Sequence, residues 1–309
     1  MKFKYFLAVI LSFCIITAYA SQNNLLSKDK SSKKIFQQNQ ILFKTNNLEI
    51  KATPAKSVKQ GQTVLINIDS SQELNNPKFI FIGRNIKLYK IGENKYRGIL
   101  GIDALTKPGF YKILFTDQSK FLNSCSYIKV SSAKFPIQNI IISGAKAGLT
   151  PASGELAKVQ RAKMANTGTS YWTEPPFDQP TVGPIVSIYG VERYHNGKPT
   201  GEYHKGVDIK APAGQVIKSI TGGRITIAEK LRLHGGTVAI DHGQGLTSIY
   251  IHMSKIYVKE GELVKPGQPI GAVGSTGFAT GPHLHWGMYV NGTCVDPMKF
   301  WIKSSSKAL

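Results

Sequence analysis

The chain has 309 residues, enough for two domains, and its 39 lysines and arginines against 18 acids leave a formal charge of +21. Such a balance calls for an anionic partner, but the lysines are scattered (Lys28, Lys30, Lys33 and Lys34 among them) and no recognition helix gathers them, which argues against nucleic acid. Three cysteines, Cys14, Cys125 and Cys294, are too few for a disulfide scaffold, so apolar cores must hold the fold.

Residues 1–20 combine Lys2 and Lys4, an apolar run from Tyr5 to Thr17, and Ala18-Tyr19-Ala20. This is the pattern of a secretory signal peptide cut before Ser21. The run is shorter than the ~20 residues a membrane span needs, and Phe13 is too bulky to precede a lipoprotein cysteine at Cys14. Export into the periplasm or cell envelope is the expectation, with no transmembrane span in the mature chain. Cys125 and Cys294 then remain, and both are expected to be unpaired thiols.

Residues 21–47 are polar and read as a flexible leader. From Leu48 to Val130 seven apolar runs recur between turn signals: Leu48–Ala52, Val64–Ile68, Phe79–Ile82, Ile86–Ile91, Tyr96–Ile102, Phe110–Thr116 and Ser126–Val130. That spacing predicts a small β-sandwich over 48–130, with a binding or regulatory task. A linker follows over 131–182. In it Ser153, Leu156, Val159, Gln160 and Met164 suggest a short amphipathic helix capped by Ser153. The aromatic, proline-rich stretch from Tyr171 to Pro184 is expected to pack on the second domain.

Residues 183–303 read as strands and glycine turns throughout, so the fold class is all-β with one short linker helix. The clearest strands are Gln215–Ile220, Gly223–Ile227, Thr237–Asp241, Leu246–His252, Ile270–Val273 and His283–Val290. Asp241-His242-Gly243-Gln244-Gly245 makes a hairpin turn, with His242 a turn residue and His234 a loop residue. Leu246, Ser248, Tyr250 and His252 share one face of their strand, which puts His252 at a strand end on the more polar side.

Seven histidines stand at 195, 204, 234, 242, 252, 283 and 285, and none is followed by glutamate, so the helical H-E-x-x-H zinc motif is absent. His283-Leu284-His285 sits in an extended segment, where side chains two apart face the same way. His204-Lys-Gly-Val-Asp208 adds an imidazole and a carboxylate, and a bend at Gly206 into a short strand would let both converge. His204, Asp208 and one histidine of the H-x-H pair make three ligands. Three protein ligands leave a zinc position open, which is the catalytic arrangement.

Several further motifs accompany these residues. They include Tyr189-Gly190, Arg193-Tyr194-His195-Asn196-Gly197, Ala211-Pro212-x-Gly214, Tyr250-x-His252-Met253, Thr276-Gly277 through Trp286, and Asp296-Pro297. Together, from about Trp172 to Phe300, they resemble the lysostaphin-type (LytM-type) zinc endopeptidases of bacterial cell walls. The upstream β-domain is similar to those preceding such peptidases in Gram-negative exported members. The resemblance implies that His204, Asp208 and His285 bind one zinc ion. It implies that His252 and His283 are the non-ligand, catalytic pair beside the reacting carbonyl. The implied partner is peptidoglycan, cut at D-alanyl–diaminopimelate cross-links; no substrate-binding residue is assigned. Three other readings compete: a non-catalytic activator of cell-wall amidases, a closed structural zinc domain, and a lipoyl-like carrier barrel. All five site residues are present, no CxxC closes a structural site, and no Met-Lys-Met turn presents a carrier lysine.

Overall fold

The computed structural model describes residues 40–54, 57–118, 122–141 and 148–302; the segment read as a signal peptide and most of the stretch read as a leader lie outside the described residues. Ten strands come first: β1 (Gln40–Lys44), β2 (Leu48–Thr53), β3 (Val58–Lys59), β4 (Thr63–Ser70), β5 (Lys78–Phe81), β6 (Arg84–Lys87), β7 (Tyr89–Gly92), β8 (Lys95–Gly101), β9 (Gly109–Asp117) and β10 (Leu122–Ser131). They form two five-stranded sheets, β1-β2-β4-β8-β7 and β3-β10-β9-β5-β6. Alternating residues of both sheets, Ile50, Ile66, Phe79 and Phe115 among them, bury one shared apolar core.

Two local features depart from the sequence expectation. The first strand already begins at Gln40, within the stretch read as leader, and pairs antiparallel with β2. The run Ile86–Ile91 is two strands, β6 and β7, lying in different sheets. The chain changes sheets at Leu88, where Leu88 and Tyr89 are both buried and no glycine or proline marks the crossing.

The rest of the chain comprises β11 (Ile137–Ile140), α1 (Glu155–Lys163), β12 (Ile185–Ser187), β13 (Glu192–His195), β14 (Lys198–Tyr203), β15 (Val207–Lys210), β16 (Val216–Lys218), β17 (Gly223–Leu231), β18 (Gly235–Gly243), β19 (Leu246–Met253), β20 (Lys255–Ile256), β21 (Leu263–Val264), β22 (Pro269–Ala272), β23 (His283–Val290), β24 (Thr293–Val295) and α2 (Pro297–Phe300). The central sheet runs β12-β15-β23-β19-β18-β17-β21, with β24 beside β23. Two small sheets, β11-β13-β14 and β16-β22-β20, flank it. Both middle strands, β18 and β19, are buried along their whole length. Their hairpin turns at Gln244 and Gly245, both at positive φ, as a two-residue connection matching strand twist requires.

The linker helix exists, but its cap and face differ from expectation. Gly154, not Ser153, holds the N-cap position in a left-handed conformation, with no side-chain cap bond. The buried residues of α1 are Glu155, Val159 and Ala162, whereas Leu156 and Met164 are exposed. The periodicity reading counted apolar residues as inward and so could not foresee a buried glutamate. Cys125 is exposed and Cys294 buried, and neither is bonded to the other. Among the described residues, no helix is long and apolar enough to cross a membrane.

The sandwich and the central sheet do not have wholly separate cores. Leu65, Ile99 and Ala104 belong to the cluster around Trp172, Trp286 and Trp301. Trp301 is fully buried, stacks on Phe177, meets Trp172 edge-on and donates Nε1–H to Thr63 Oγ1 at 3.0 Å. Asn291 Nδ2 donates to Ile99 O at 2.8 Å, and Tyr203 OH to Asp103 Oδ2 at 2.7 Å. Trp301→Ala empties this junction and is expected to cost about 3–5 kcal/mol of folding stability. Denaturant unfolding of the full chain measures it, and a loss below about 1 kcal/mol would contradict the shared core.

Candidate metal centre

Strand register builds the centre. In the antiparallel pair β15/β23, Asp208 lies directly opposite His285, and Lys210 opposite His283. Ile251 of β19 faces His285 from the other side. The reverse face of the same strands carries Val207, Ile209, Leu284, Trp286 and Tyr250, all fully buried. Packing that apolar face therefore fixes which way Asp208, His283 and His285 point, because a one-residue slip would exchange the two faces.

His204 reaches the same point from the turn before β15. The chain bends at Gly206 and enters β15 directly, as the sequence suggested. A Cβ at this position would stand 2.5 Å from Trp286 O and 2.8 Å from His285 Nε2, so only glycine lets the bend pass under the imidazole. His204 Nε2, Asp208 Oδ1 and His285 Nδ1 form a near-equilateral triangle with sides of 3.0, 3.0 and 2.9 Å. Among the described residues these three make the one His/Cys/Asp/Glu group suited to a metal ion.

The hydrogen bonding tests whether a cation fits. His204 Nδ1 lies 2.8 Å from Ile188 O and 3.0 Å from Ser187 Oγ. Donation of Nδ1–H to that carbonyl leaves Nε2 as a bare lone pair aimed at a carboxylate oxygen and a second ring nitrogen. Three acceptors facing inward at this range require a cation or shared protons between them. Tetrahedral zinc ligands about 2.1 Å from the ion stand about 3.4 Å apart, so a small opening of the triangle suffices. The donor set fits zinc.

Charge adjusts the same groups. Burial would raise the pKa of Asp208, but protons shared with the His204 and His285 rings, in the place a cation would take, outweigh it and hold the carboxyl well below the usual range. Arg193 Nη2 stands 3.6 Å from Asp208 Oδ2 and adds a positive charge on the far side of the carboxylate. Burial pushes His285 down to about 4. Burial, then His285 and His283, push His252 down to about 3, so both rings are neutral at neutral pH.

The other two expected residues flank the triangle. His283 Nδ1–H donates to Gly281 O at 2.8 Å, and its Nε2 lies 3.9 Å from Asp208 Oδ1. His252 Nδ1 is 2.9 Å from Thr276 O. The two rings are 4.9 Å apart, and His252 is 6.3 Å from the His285 ring. With each Nδ1–H given to a carbonyl, both Nε2 atoms are free to exchange a proton with a bound molecule.

The route by which His252 arrives corrects the sequence reading. Strict alternation puts it with Tyr250, which pairs with Trp286 on the reverse face. Its φ of 66° breaks the alternation and turns the ring to the histidine face. His242 also differs: it is fully buried in β18, held by Gly222 O at 2.6 Å and Ser248 Oγ at 2.7 Å, rather than lying in the turn. His234 is in the β17–β18 turn as expected, and His195 in β13 packs 6.1 Å from Phe278. Arg193, Ser187, Ile188 and Thr276 were not singled out. Arg193 and Thr276 stood within quoted motifs, while Ser187 and Ile188 act through positions that only folding reveals.

Gly206→Ala tests the bend. The added methyl must displace the His285 ring, and zinc affinity is expected to fall about 10–100-fold, the range seen when ligand orientation is disturbed. Competition with a chelating dye measures it, and unchanged affinity would contradict the close approach.

Comparison with known proteins agrees with this geometry. The family model "Peptidase family M23" matches residues 202–297, which include all five site residues. A peptidoglycan DD-endopeptidase, ShyB of Vibrio cholerae, is 40% identical over 115 residues, covering 37% of this chain and 27% of that protein. The DD-carboxypeptidase/endopeptidase Mpg of Neisseria meningitidis is 39% identical over 114 residues, 37% of this chain and 26% of its own. The chain thus spans about a quarter of the length of these curated relatives. A crystal structure assigned to peptidase M23 from Pseudomonas aeruginosa superposes with a TM-score of 0.58 at 29% identity, covering 78% of this chain and 93% of its own, so the likeness reaches beyond residues 202–297. Fold, ligand triangle and family match together identify residues 202–297 as a peptidase family M23 domain of the lysostaphin type.

Proposed function

We propose that the protein is a zinc metalloendopeptidase that hydrolyses peptide cross-links of peptidoglycan at D-alanyl–diaminopimelate bonds. One observation carries the reading: two kinds of histidine meet at one point. Two close a three-ligand triangle with Asp208, and two stand beside it, each with its Nδ1 held by a backbone carbonyl. Residues 183–303 then form the peptidase domain, 48–130 an accessory β-sandwich with a binding or regulatory task, and 131–182 their connection. The names of the relatives from Vibrio and Neisseria support the substrate, and a wall substrate agrees with export through residues 1–20 into the periplasm or cell envelope.

His204, Asp208 and His285 would hold the ion, which supplies a Lewis acid for a scissile carbonyl and for water. His204 is kept in its ligating tautomer by Ile188 O, and Asp208 is kept ionised by its two imidazole partners. His252 and His283 hold protons at Nδ1 and present Nε2, where one can take a proton from water and the other, once it also carries a proton at Nε2, can donate to the charge on the carbonyl oxygen. No glutamate is required as base. The amidase-activator reading would fit the same fold, but all five side chains here are present and converge.

His285→Ala is expected to release zinc and lose hydrolysis with it. His283→Ala and His252→Ala are expected to keep zinc yet lose roughly 10²–10⁴ in rate. Zinc per chain and muropeptide release from purified sacculi read both effects. A zinc-replete His285→Ala or a zinc-free His283→Ala would overturn the assignment, and a zinc-loaded wild type that releases nothing would favour the activator reading.

A further inference from the structure

Outside the matched residues 202–297, one buried acid leads directly to the site. Glu155 opens α1 and is 3% exposed. Its Oε1 accepts from the backbone N–H of Leu233 at 2.9 Å, from that of His234 at 3.1 Å, and from His234 Nδ1 at 2.7 Å. Its Oε2 accepts from the backbone N–H of Ala152 at 2.9 Å and of Arg232 at 3.2 Å. An ionised carboxylate offers about four lone-pair sites and only accepts, so every site is committed. Burial would raise its pKa, but these bonds outweigh it and hold the group at about 2, which keeps it an acceptor. One side chain thus gathers three successive residues of the turn between β17 and β18.

From that turn two hydrogen-bonded routes lead to His252, one direct and one through the 276–278 loop. His234 O accepts the backbone N–H of His252 at 3.0 Å. Leu233 O accepts the N–H of Phe278 at 2.8 Å and so anchors the loop carrying Thr276, whose carbonyl meets His252 Nδ1 at 2.9 Å. Turn and loop touch backbone to backbone: a Cβ on Gly235 would stand 2.5 Å from Thr276 O. Thr276 Oγ1 also accepts from Gly236 N–H at 2.9 Å and donates to Met253 O at 2.8 Å. His252 needs such a hold, because its left-handed backbone is disfavoured for a residue with a Cβ. Both donors of this residue, N–H and Nδ1–H, end on groups that Glu155 fixes in place.

We propose that Glu155 is the positioning residue for the His252 imidazole, so that the segment joining the two domains completes the reacting centre of the second. Glu155 touches neither ligand nor substrate; it acts through the 232–234 turn and the 276–278 loop. The inference rests on the reading of His252 as a proton-handling ring at the metal centre. It predicts a separation of effects, because the ligand triangle is fixed by β15, β23 and the Gly206 bend, none of which Glu155 contacts.

The test uses the full mature chain. For Glu155→Gln, zinc per chain should match the wild type, while the His252 ring nitrogen resonances, assigned by comparison with His252→Ala, should move. Hydrolysis of a cross-linked muropeptide dimer should lose about 10–100-fold in kcat with KM unchanged, the scale of a misplaced catalytic group. Val159→Ala, on the same buried face of α1, serves as control and should leave the His252 resonances in place at a comparable loss of stability. Unmoved resonances in folded Glu155→Gln, or equal movement in Val159→Ala, would overturn the proposal. If Glu155→Gln does not fold, Glu155→Asp, which keeps the charge but is one methylene short, is read by the same criteria. Full hydrolysis by His252→Ala would instead refute the role of His252, while the resonances still decide whether Glu155 positions it.

Discussion

The pairing of Asp208 with His285 across β15 and β23 is the constraint on which the site depends. It sets two ligand atoms 2.9 Å apart without help from any loop. The apolar reverse face, with Trp286, Leu284, Val207 and Ile209 at no measurable exposure, enforces the register. The energy of core burial, of order 1.5–3 kcal/mol for each large apolar side chain, is thereby used to hold a carboxylate and two imidazoles at close range. Such groups would otherwise separate into water, since three inward acceptors repel until a cation joins them.

Around this rigid pair the remaining groups arrive by exceptions to regular structure. His204 comes in over a glycine bend, and His252 through a left-handed residue at the end of a buried strand. Strain of that kind persists only where its surroundings over-determine it. Here the surroundings reach back to α1 and, through the Trp301 junction, to Thr63 of the sandwich. The upstream chain is thus part of the scaffold that holds the centre, besides whatever it binds.

Much of this was legible in the sequence, for identifiable reasons. Period two put His283 and His285 on one face, and the bend at Gly206 let His204 join Asp208; both arrangements are present. Glycine turns marked the strands from Gly223 onward with few errors. What the residues alone left open was which histidine of the pair enters the triangle; the resemblance supplied His285, and the geometry brings that ring, with His283 Nε2 at 3.9 Å, into the triangle. The misreadings come from local rules applied without exception. Alternation assumed unbroken strands, so it sent His252 to the wrong face and hid the crossing at Leu88. Apolar counting assumed that charged residues face out, so it passed over Glu155 and chose Ser153 as cap. His242 was read from its glycine neighbours as a turn residue, although the turn proper begins one residue beyond Gly243.

The central claim is a three-ligand centre of two imidazoles and one carboxylate. X-ray absorption at the zinc edge on the metal-loaded full chain tests it most directly, because imidazole carbons give an outer-shell signature that counts the rings. The account predicts two imidazoles and only oxygen besides, with all inner-shell distances near about 2.0–2.2 Å. A third imidazole, or sulfur at about 2.3 Å, would mean that His252, His283 or a cysteine closes the site, and would contradict the account.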